Sequence, residues 1–230
     1  MSSLNAKGDR VSNSDTRPAD GFLDVDRCLD VLDPFRARWR ELATEAEHLG
    51  SQWMEHPNNY YCPSGWYLSP VRFFGIDNPD AMAAAPVLSD LVARDSRVMT
   101  AQYLCLAPGA TVASHRGTPM GMGRFHLGLS IPDGCVLHVG DQTREWIEGE
   151  WLAFDDVWPH STSNLSDRNR IVLSLDLEHP AISLPKRAYL RRHLEGSIYE
   201  FLRRSPRTLR AIMWFNRRVR ARLWPLEGSS

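Results

Sequence analysis

From about residue 96 to residue 180 the sequence falls into short β-branched and aromatic runs: VMTAQYLCL, FHLGLSI, CVLHV, EWLAF and RIVLSLDL. The stretches APGA, IPDG, GDQT, IEGE and HSTSNLSDRN separate them and read as turns and loops, because Gly, Pro, Asn, Asp and Ser supply turn backbone or local side-chain hydrogen bonds. Five or more short strands at this spacing predict a jelly roll or barrel rather than βαβ units.

Helical patterns flank this β-rich part. Leu32, Phe35, Trp39, Leu42, Ala46 and Leu49 recur every three or four residues, which predicts a helix over 32–49, with Asp33 as cap and Pro34 in its first turn. WYLSPVRFFG reads as a strand or hairpin despite its proline, and NPDAMAAAPVLSDLVARD as a short helix with Asn or Asp near its start as a cap. Residues 184–224 read as helical and strongly basic, split into two or three helices at Gly196 and at SPR (205–207). Residues 1 to about 20 are polar and are not expected to fold on their own. The expected organisation is therefore one domain over 21–183, with its β core at about 96–180, and a basic helical extension over 184–230.

Bulk properties exclude several classes. A 43% apolar and 24% charged chain with no apolar run of 18 residues reads as a globular protein without a membrane span, and the N-terminus has no secretory apolar region. A formal net charge of −1 provides no overall attraction to nucleic acid, and no such partner is expected. Cys28, Cys62, Cys105 and Cys135 are scattered and form no CxxC pair, which favours buried reduced thiols in a cytoplasmic protein over a disulfide framework or thiolate zinc site.

Candidate chemistry sits at strand ends. His115 in ASHRGTP and His160 in FDDVWPH both lie where a barrel mouth holds ligands, and imidazole suits iron, zinc, copper or nickel; a hydrogen-bonded loop histidine is the competing reading for each. In RIVLSLDL, strand alternation puts Arg170, Val172, Ser174 and Asp176 on one face and Ile171, Leu173, Leu175 and Leu177 on the other. The smaller, more polar face would line a cavity, where the Arg170 guanidinium is a bidentate partner for a carboxylate; a solvent-facing arginine at a strand start is the alternative. Arg124 presents the same choice.

The segments PGATVASHRGTP, GRFHLGLSIPDGC, W-IEGEWLAFDDVWPH and R-IVLSLDLEHP occur in a fixed order. Together they resemble the catalytic domain of the aspartyl/asparaginyl β-hydroxylase family, within the Fe(II)/2-oxoglutarate-dependent oxygenase superfamily, and are similar to the bacterial lipid A hydroxylases of the same superfamily. The resemblance covers about a third of the chain firmly, from Pro108 to Pro180, and the lead-in from Trp66 to Leu106 more weakly. It implies a mainly β fold with flanking helices, the double-stranded β-helix or cupin-type jelly roll. It further implies that His115 and His160 hold Fe(II), and that Arg170 pairs with the distal carboxylate of 2-oxoglutarate. Arg124 and His126 would stand beside co-substrate and substrate, and Asp156 would be a catalytic aspartate near the metal. O2 is the second co-substrate. The chain departs from the common H-x-D pattern because position 117 is Gly, as in the aspartyl/asparaginyl hydroxylases, where water completes the iron shell. Leu104 stands where the family has a serine that contacts the co-substrate.

The implied activity is hydroxylation of an unactivated C–H, on an amino acid or a peptide aspartyl/asparaginyl-type residue. Two alternatives stand beside it. One is a biosynthetic tailoring oxygenase acting on a free or carrier-bound small acid by hydroxylation, desaturation or cyclisation. The other is a non-catalytic metal-binding cupin. His138, His179, Trp66, Trp146, Trp151 and Trp158 read as structural, and TPMGMG as a flexible loop or an apolar pocket wall. The basic extension reads first as helices packed on the barrel with a solvated basic face. Contact with an anionic membrane surface or an acidic carrier is the alternative.

Overall fold

The computed structural model describes residues 20–182, 187–216 and 218. The expectation of an unfolded N-terminus and the last part of the basic extension fall almost entirely outside these residues. In chain order the elements are α1 (Leu29–Ala37), α2 (Trp39–Glu47), β1 (Met54–Glu55), β2 (Trp66–Phe73), β3 (Ile76–Asp77), α3 (Pro79–Ala84) and α4 (Pro86–Ala93). Eight strands follow: β4 (Thr100–Leu106), β5 (Thr111–His115), β6 (Gly123–Ser130), β7 (Cys135–Val139), β8 (Gln142–Glu145), β9 (Trp151–Phe154), β10 (His160–Asn164) and β11 (Arg170–Leu177). Helices α5 (Ala188–Arg204) and α6 (Pro206–Phe215) close the described chain.

The eleven strands form two antiparallel sheets. One runs β1-β2-β4-β11-β6-β9, with β3 against β2; the other runs β5-β10-β7-β8. Consecutive strands from β4 to β7 thus alternate between sheets, and β8 to β11 return between them in reverse, which is the winding of a double-stranded β-helix. Alternation along β11 has the expected consequence: Ile171, Leu173, Leu175 and Leu177 enter the core shared with α1, α2 and α4, while Val172 joins the apolar layer between the sheets.

Several boundaries differ from the sequence reading. The first helix starts earlier, at Leu29, after a 3-10 turn whose N-cap Asp24 accepts from the Asp26 N–H. Pro34 therefore lies inside α1, where it removes a single intrahelical donor, and the helix breaks at Arg38, so that two helices replace the predicted one. The predicted helix at 78–95 is likewise two, divided before Pro86, and Asn78 caps by position without a side-chain bond to the helix. Pro70 is accommodated in β2 by a bulge between Pro70 and Arg72 in the pairing with β4. The stretch HSTSN, read as loop, is strand β10, held on both sides by β5 and β7. Gly196 does not break α5; the break is at Ser205, and Gly196 is where the helix approaches the β2–β3 hairpin. A Cβ there would stand 3.0 Å from Ile76 and 3.4 Å from the Phe74 carbonyl oxygen. All four cysteines are buried free thiols.

The helical layer is tied to the sheet by one carboxylate. Glu45 of α2 accepts the first-turn N–H groups of Val87 (2.6 Å) and Leu88 (3.1 Å) in α4, and the Tyr103 hydroxyl of β4 at 2.6 Å. It thereby caps a helix that has no capping side chain of its own. Glu45→Ala leaves a buried phenol and a helix N-terminus unsatisfied and is expected to cost about 2–4 kcal/mol, read as a lower urea midpoint at unchanged slope.

Candidate metal and co-substrate site

A cavity of about 740 Å³ lies between the two sheets, with α5 and α6 contributing part of its wall. His115 ends β5 and His160 begins β10, and the antiparallel register sets them directly opposite each other. Their rings lie with centroids 4.3 Å apart. Each imidazole Nδ1 is 2.9 Å from a backbone carbonyl two residues earlier, that of Ala113 or Trp158. A carbonyl only accepts, so Nδ1 carries the proton and the lone pair is on Nε2, the tautomer that metal-binding histidines adopt. Burial lowers the pKa of both rings, that of His160 to about 3 with the neighbouring His115 as a second cause, so both are neutral at physiological pH. The donor set therefore fits a divalent metal. Among the described residues no group of three or more His, Cys, Asp or Glu could hold a metal ion.

Asp156 stands beside this pair. The Gly117 N–H donates to the Asp156 carbonyl (2.7 Å), and the Asp156 carboxylate folds over the Gly117 Cα. A Cβ at 117 would lie 2.8 Å from Asp156 Oδ1 and closer still to Oδ2. The space that a side chain at 117 would take is filled by a carboxylate from another strand connection. Burial raises the Asp156 carboxyl to about 6 against the opposing pull of Arg124, 3.3 Å away.

Arg124 also meets Asp176 through two bonds, Nε to Oδ1 at 2.9 Å and Nη2 to Oδ2 at 3.2 Å. Burial works against its charge, but the two carboxylates outweigh burial and raise its pKa. Arg170 is different. It is only 2% exposed, its Nε and Nη1 have no hydrogen-bond partner, and its guanidinium lies 4.7 Å over the Trp146 ring. Burial lowers its pKa to about 10, so it is charged at neutral pH without a carboxylate to meet it. His126 is buried between Trp146 and Phe154 with neither ring nitrogen bonded, and the buried Thr162 hydroxyl also lacks a partner. Arg170, His126 and Thr162 all line the same cavity. Three unsatisfied polar side chains thus converge on one cavity, a set that could hold a carboxylate.

The structure thus brings His115, His160, Asp156, Arg124, His126 and Arg170 to one cavity. Leu104 lines it as well and offers no polar contact. The sequence reading missed Thr162, because its strand was taken for a turn; the alternation His160, Thr162, Asn164 was the available signal. It also missed His56, which is stacked on Trp66 with centroids 3.5 Å apart and accepts the Asn58 N–H on Nδ1. Trp66 and Trp146 line the cavity rather than serving only as packing, whereas Trp151 packs against the core and Trp158 against the layer between the sheets. Met120 and Met122 form part of the cavity wall. His138 faces outward and bonds Thr143, and His179 is buried at the end of β11, its Nε2 donating to the Asp24 carbonyl.

Strand order and winding define a cupin-type double-stranded β-helix, here with a histidine pair and a buried arginine in its central cavity. A family profile described as aspartyl/asparaginyl beta-hydroxylase matches residues 36–180, and the chain belongs to that family. Among curated relatives, an ornithine lipid ester-linked acyl 2-hydroxylase of Rhizobium tropici is 34% identical over 118 residues, 50% of this chain and 42% of that protein. The aspartyl/asparaginyl beta-hydroxylase of Mus musculus is 31% identical over 122 residues, 50% of this chain and 16% of that protein. The aspartate beta-hydroxylase domain-containing protein 2 of Homo sapiens is 38% identical over 88 residues, 37% and 24% of the two chains. The matched part is thus less than half the length of each of these relatives. Among solved structures, the Cupin_2 domain of an XRE family transcriptional regulator from Enterobacter cloacae shows a distant likeness, with 16% identity, a TM-score of 0.35, and coverage of 51% of this chain and 99% of that one.

Proposed function

We propose that this chain is an Fe(II)- and 2-oxoglutarate-dependent hydroxylase acting on an unactivated C–H bond. The observation that carries the reading is Arg170, a buried, charged and unpartnered guanidinium in the cavity that holds the His115–His160 pair. A buried cation without a protein anion is costly, and a ligand carboxylate is its natural complement. Family membership supports hydroxylation.

His115 and His160 would hold the iron through Nε2, and Arg170 would receive the distal carboxylate of 2-oxoglutarate. Bound iron with 2-oxoglutarate and O2 would supply the oxidising power, converting the keto acid to succinate and CO2 as the substrate C–H is hydroxylated. The chain's own work is positional. The strand register sets the two imidazoles side by side, Trp146 carries the Arg170 guanidinium, and Thr162 and His126 offer further polar contacts where Leu104 offers none. Arg124, held by Asp156 and Asp176, anchors the strand connection that covers Gly117.

The wall favours an apolar substrate chain over an aspartyl-type one. Phe73, Phe74, Met120, Met122, Ile198 and Leu202 line the cavity, and Arg124 is already committed to two carboxylates and is not free for an acidic substrate side chain. The name of the R. tropici relative, an acyl hydroxylase, supports the same class.

Succinate formation from 2-oxoglutarate with added Fe(II) and O2, in the presence of acyl substrates, is the test. His160→Ala is expected to remove it, and equal succinate formation by this variant would sink the reading. A site with two protein ligands holds metal loosely, so chelator-treated protein should be inactive and regain activity with Fe(II).

A further inference from the structure

We infer that helices α5 and α6 form a docking surface for an anionic lipid bilayer, and that the cavity is reached through that surface. These helices lie outside the family-matched residues 36–180, and the inference does not depend on the iron chemistry.

The observation is an amphipathic helix turned the unusual way round. A helix on a soluble protein buries its apolar stripe and shows polar residues to water. The 17-residue α5 does the reverse. Its inner face carries Ala188, Arg192 and Gly196. Arg192 is only 4% exposed and is fully engaged, donating to the Met120 and Gly121 carbonyls and pairing with Glu178 at 2.7 Å. The outer face carries Leu190 (69% exposed), Leu194 (55%), Ile198 (43%) and Phe201 (58%), at the spacing of one helical stripe. The orientation is therefore set by specific bonds on the inner side. Helix α6 continues the patch with Ile212, Trp214 and Phe215, all exposed.

Charge identifies the partner. Residues 187–218 contain nine arginines against two glutamates, in a chain whose formal net charge is −1. Arg187, Arg191, Arg207, Arg210 and Arg218 are exposed and make no ion pair among the described residues, so they border the apolar stripe as free cations. Exposed Leu, Phe and Trp flanked by arginine is the composition of a helix that lies in a bilayer interface and is drawn to anionic headgroups. No described helix is long and apolar enough to cross a membrane, so α5 and α6 would lie on the surface. The stripe is also continuous with the cavity. Ile198 and Ile212 are exposed and line the cavity wall at once, beside Leu202 and Leu209. A chain leaving the bilayer at this surface would pass from lipid into the cavity along apolar side chains, without crossing water.

Co-sedimentation of the full chain with vesicles tests this. Binding is expected to vesicles of phosphatidylcholine mixed with phosphatidylglycerol, to be at least about tenfold weaker to phosphatidylcholine alone, and to weaken on raising salt to about 0.5 M. The double variant Leu194→Asp/Phe201→Asp is expected to lose at least about tenfold in partitioning. Arg207→Glu/Arg210→Glu should lose the preference for anionic vesicles. The replaced side chains are exposed, and an unchanged near-UV circular dichroism spectrum verifies folding. Absence of binding to the mixed vesicles, or equal binding by the folded double variant, overturns the inference. So does a concentration-dependent dimer of the parent chain that the double variant abolishes, because the face would then belong to a second copy.

Discussion

Arg170→Met should lower 2-oxoglutarate-dependent turnover about 10²–10³-fold and, in the ligand-free protein, raise stability by about 1–4 kcal/mol. The two effects share one cause. The Arg170 guanidinium is buried, with Nε and Nη1 unpartnered, and burial lowers its pKa to about 10. Folding the free protein therefore strips water from a cation and returns only the Trp146 face, 4.7 Å away. A carboxylate ligand would supply the missing partner, so ligand binding to the parent protein should raise its melting temperature while leaving that of Arg170→Met unchanged. Arg170→Lys should retain charge but lose the two-pronged geometry, raising KM for 2-oxoglutarate more than it lowers kcat. Thermal melts with and without 2-oxoglutarate, together with initial rates, check both halves. A methionine variant that is less stable than the parent and still responds to 2-oxoglutarate would remove Arg170 from the role given to it.

Gly117→Asp carries the second large effect. Judged by motif alone, aspartate at 117 would complete a two-histidine, one-carboxylate metal site. The structure predicts the opposite, because the Asp156 carboxylate already occupies that space, 2.8 Å or less from any Cβ at 117. Two carboxylates would be forced together where burial already raises Asp156 to about 6. A loss of about 3 kcal/mol or more in stability is expected, with loss of iron binding as the 115–117 strand end is displaced. Gly117→Ala, which adds only the clash, should cost about 1–3 kcal/mol. The double variant Gly117→Asp/Asp156→Gly moves the carboxylate to the other side of the same space and should recover both stability and metal binding. Denaturant melts and a chelator competition for Fe(II) measure these changes. A stable, iron-binding Gly117→Asp single variant would show that the Asp156–Gly117 contact does not constrain the site.

Much of the fold was legible in local pattern. The alternation in RIVLSLDL separated the core residues Ile171, Leu173, Leu175 and Leu177 from the opposite face, of which Arg170 and Asp176 line the cavity and Val172 joins the apolar layer, because one-face burial obliges a strand to repeat with period two. Arg170 and Arg124 stood out because a charged side chain inside a barrel strand must be accounted for, whereas His126 came from the family resemblance. Strand β10 was obscured by its composition, with the alternation His160, Thr162, Asn164 as its one signal. HSTSN has the composition of a turn, and it becomes a strand because β5 and β7 supply hydrogen-bond partners on both edges. Helix breaks at Arg38 and before Pro86 were equally hidden, since the apolar spacing runs through them.

By itself the sequence determined which residues could face a core, the antiparallel β class, and the ordered histidine, arginine and glycine positions that mark the family. These are properties of period and spacing along the chain, and they survive without knowledge of neighbours. Tertiary structure alone decided three things. Asp156 fills the place left by Gly117, Arg170 ends without a protein partner, and α5 turns its leucines to the outside because Arg192 is bonded within. Each is settled by a contact between residues distant in the chain, where the free energy depends on whether a specific donor, acceptor or cation meets its counterpart. No local pattern carries that information.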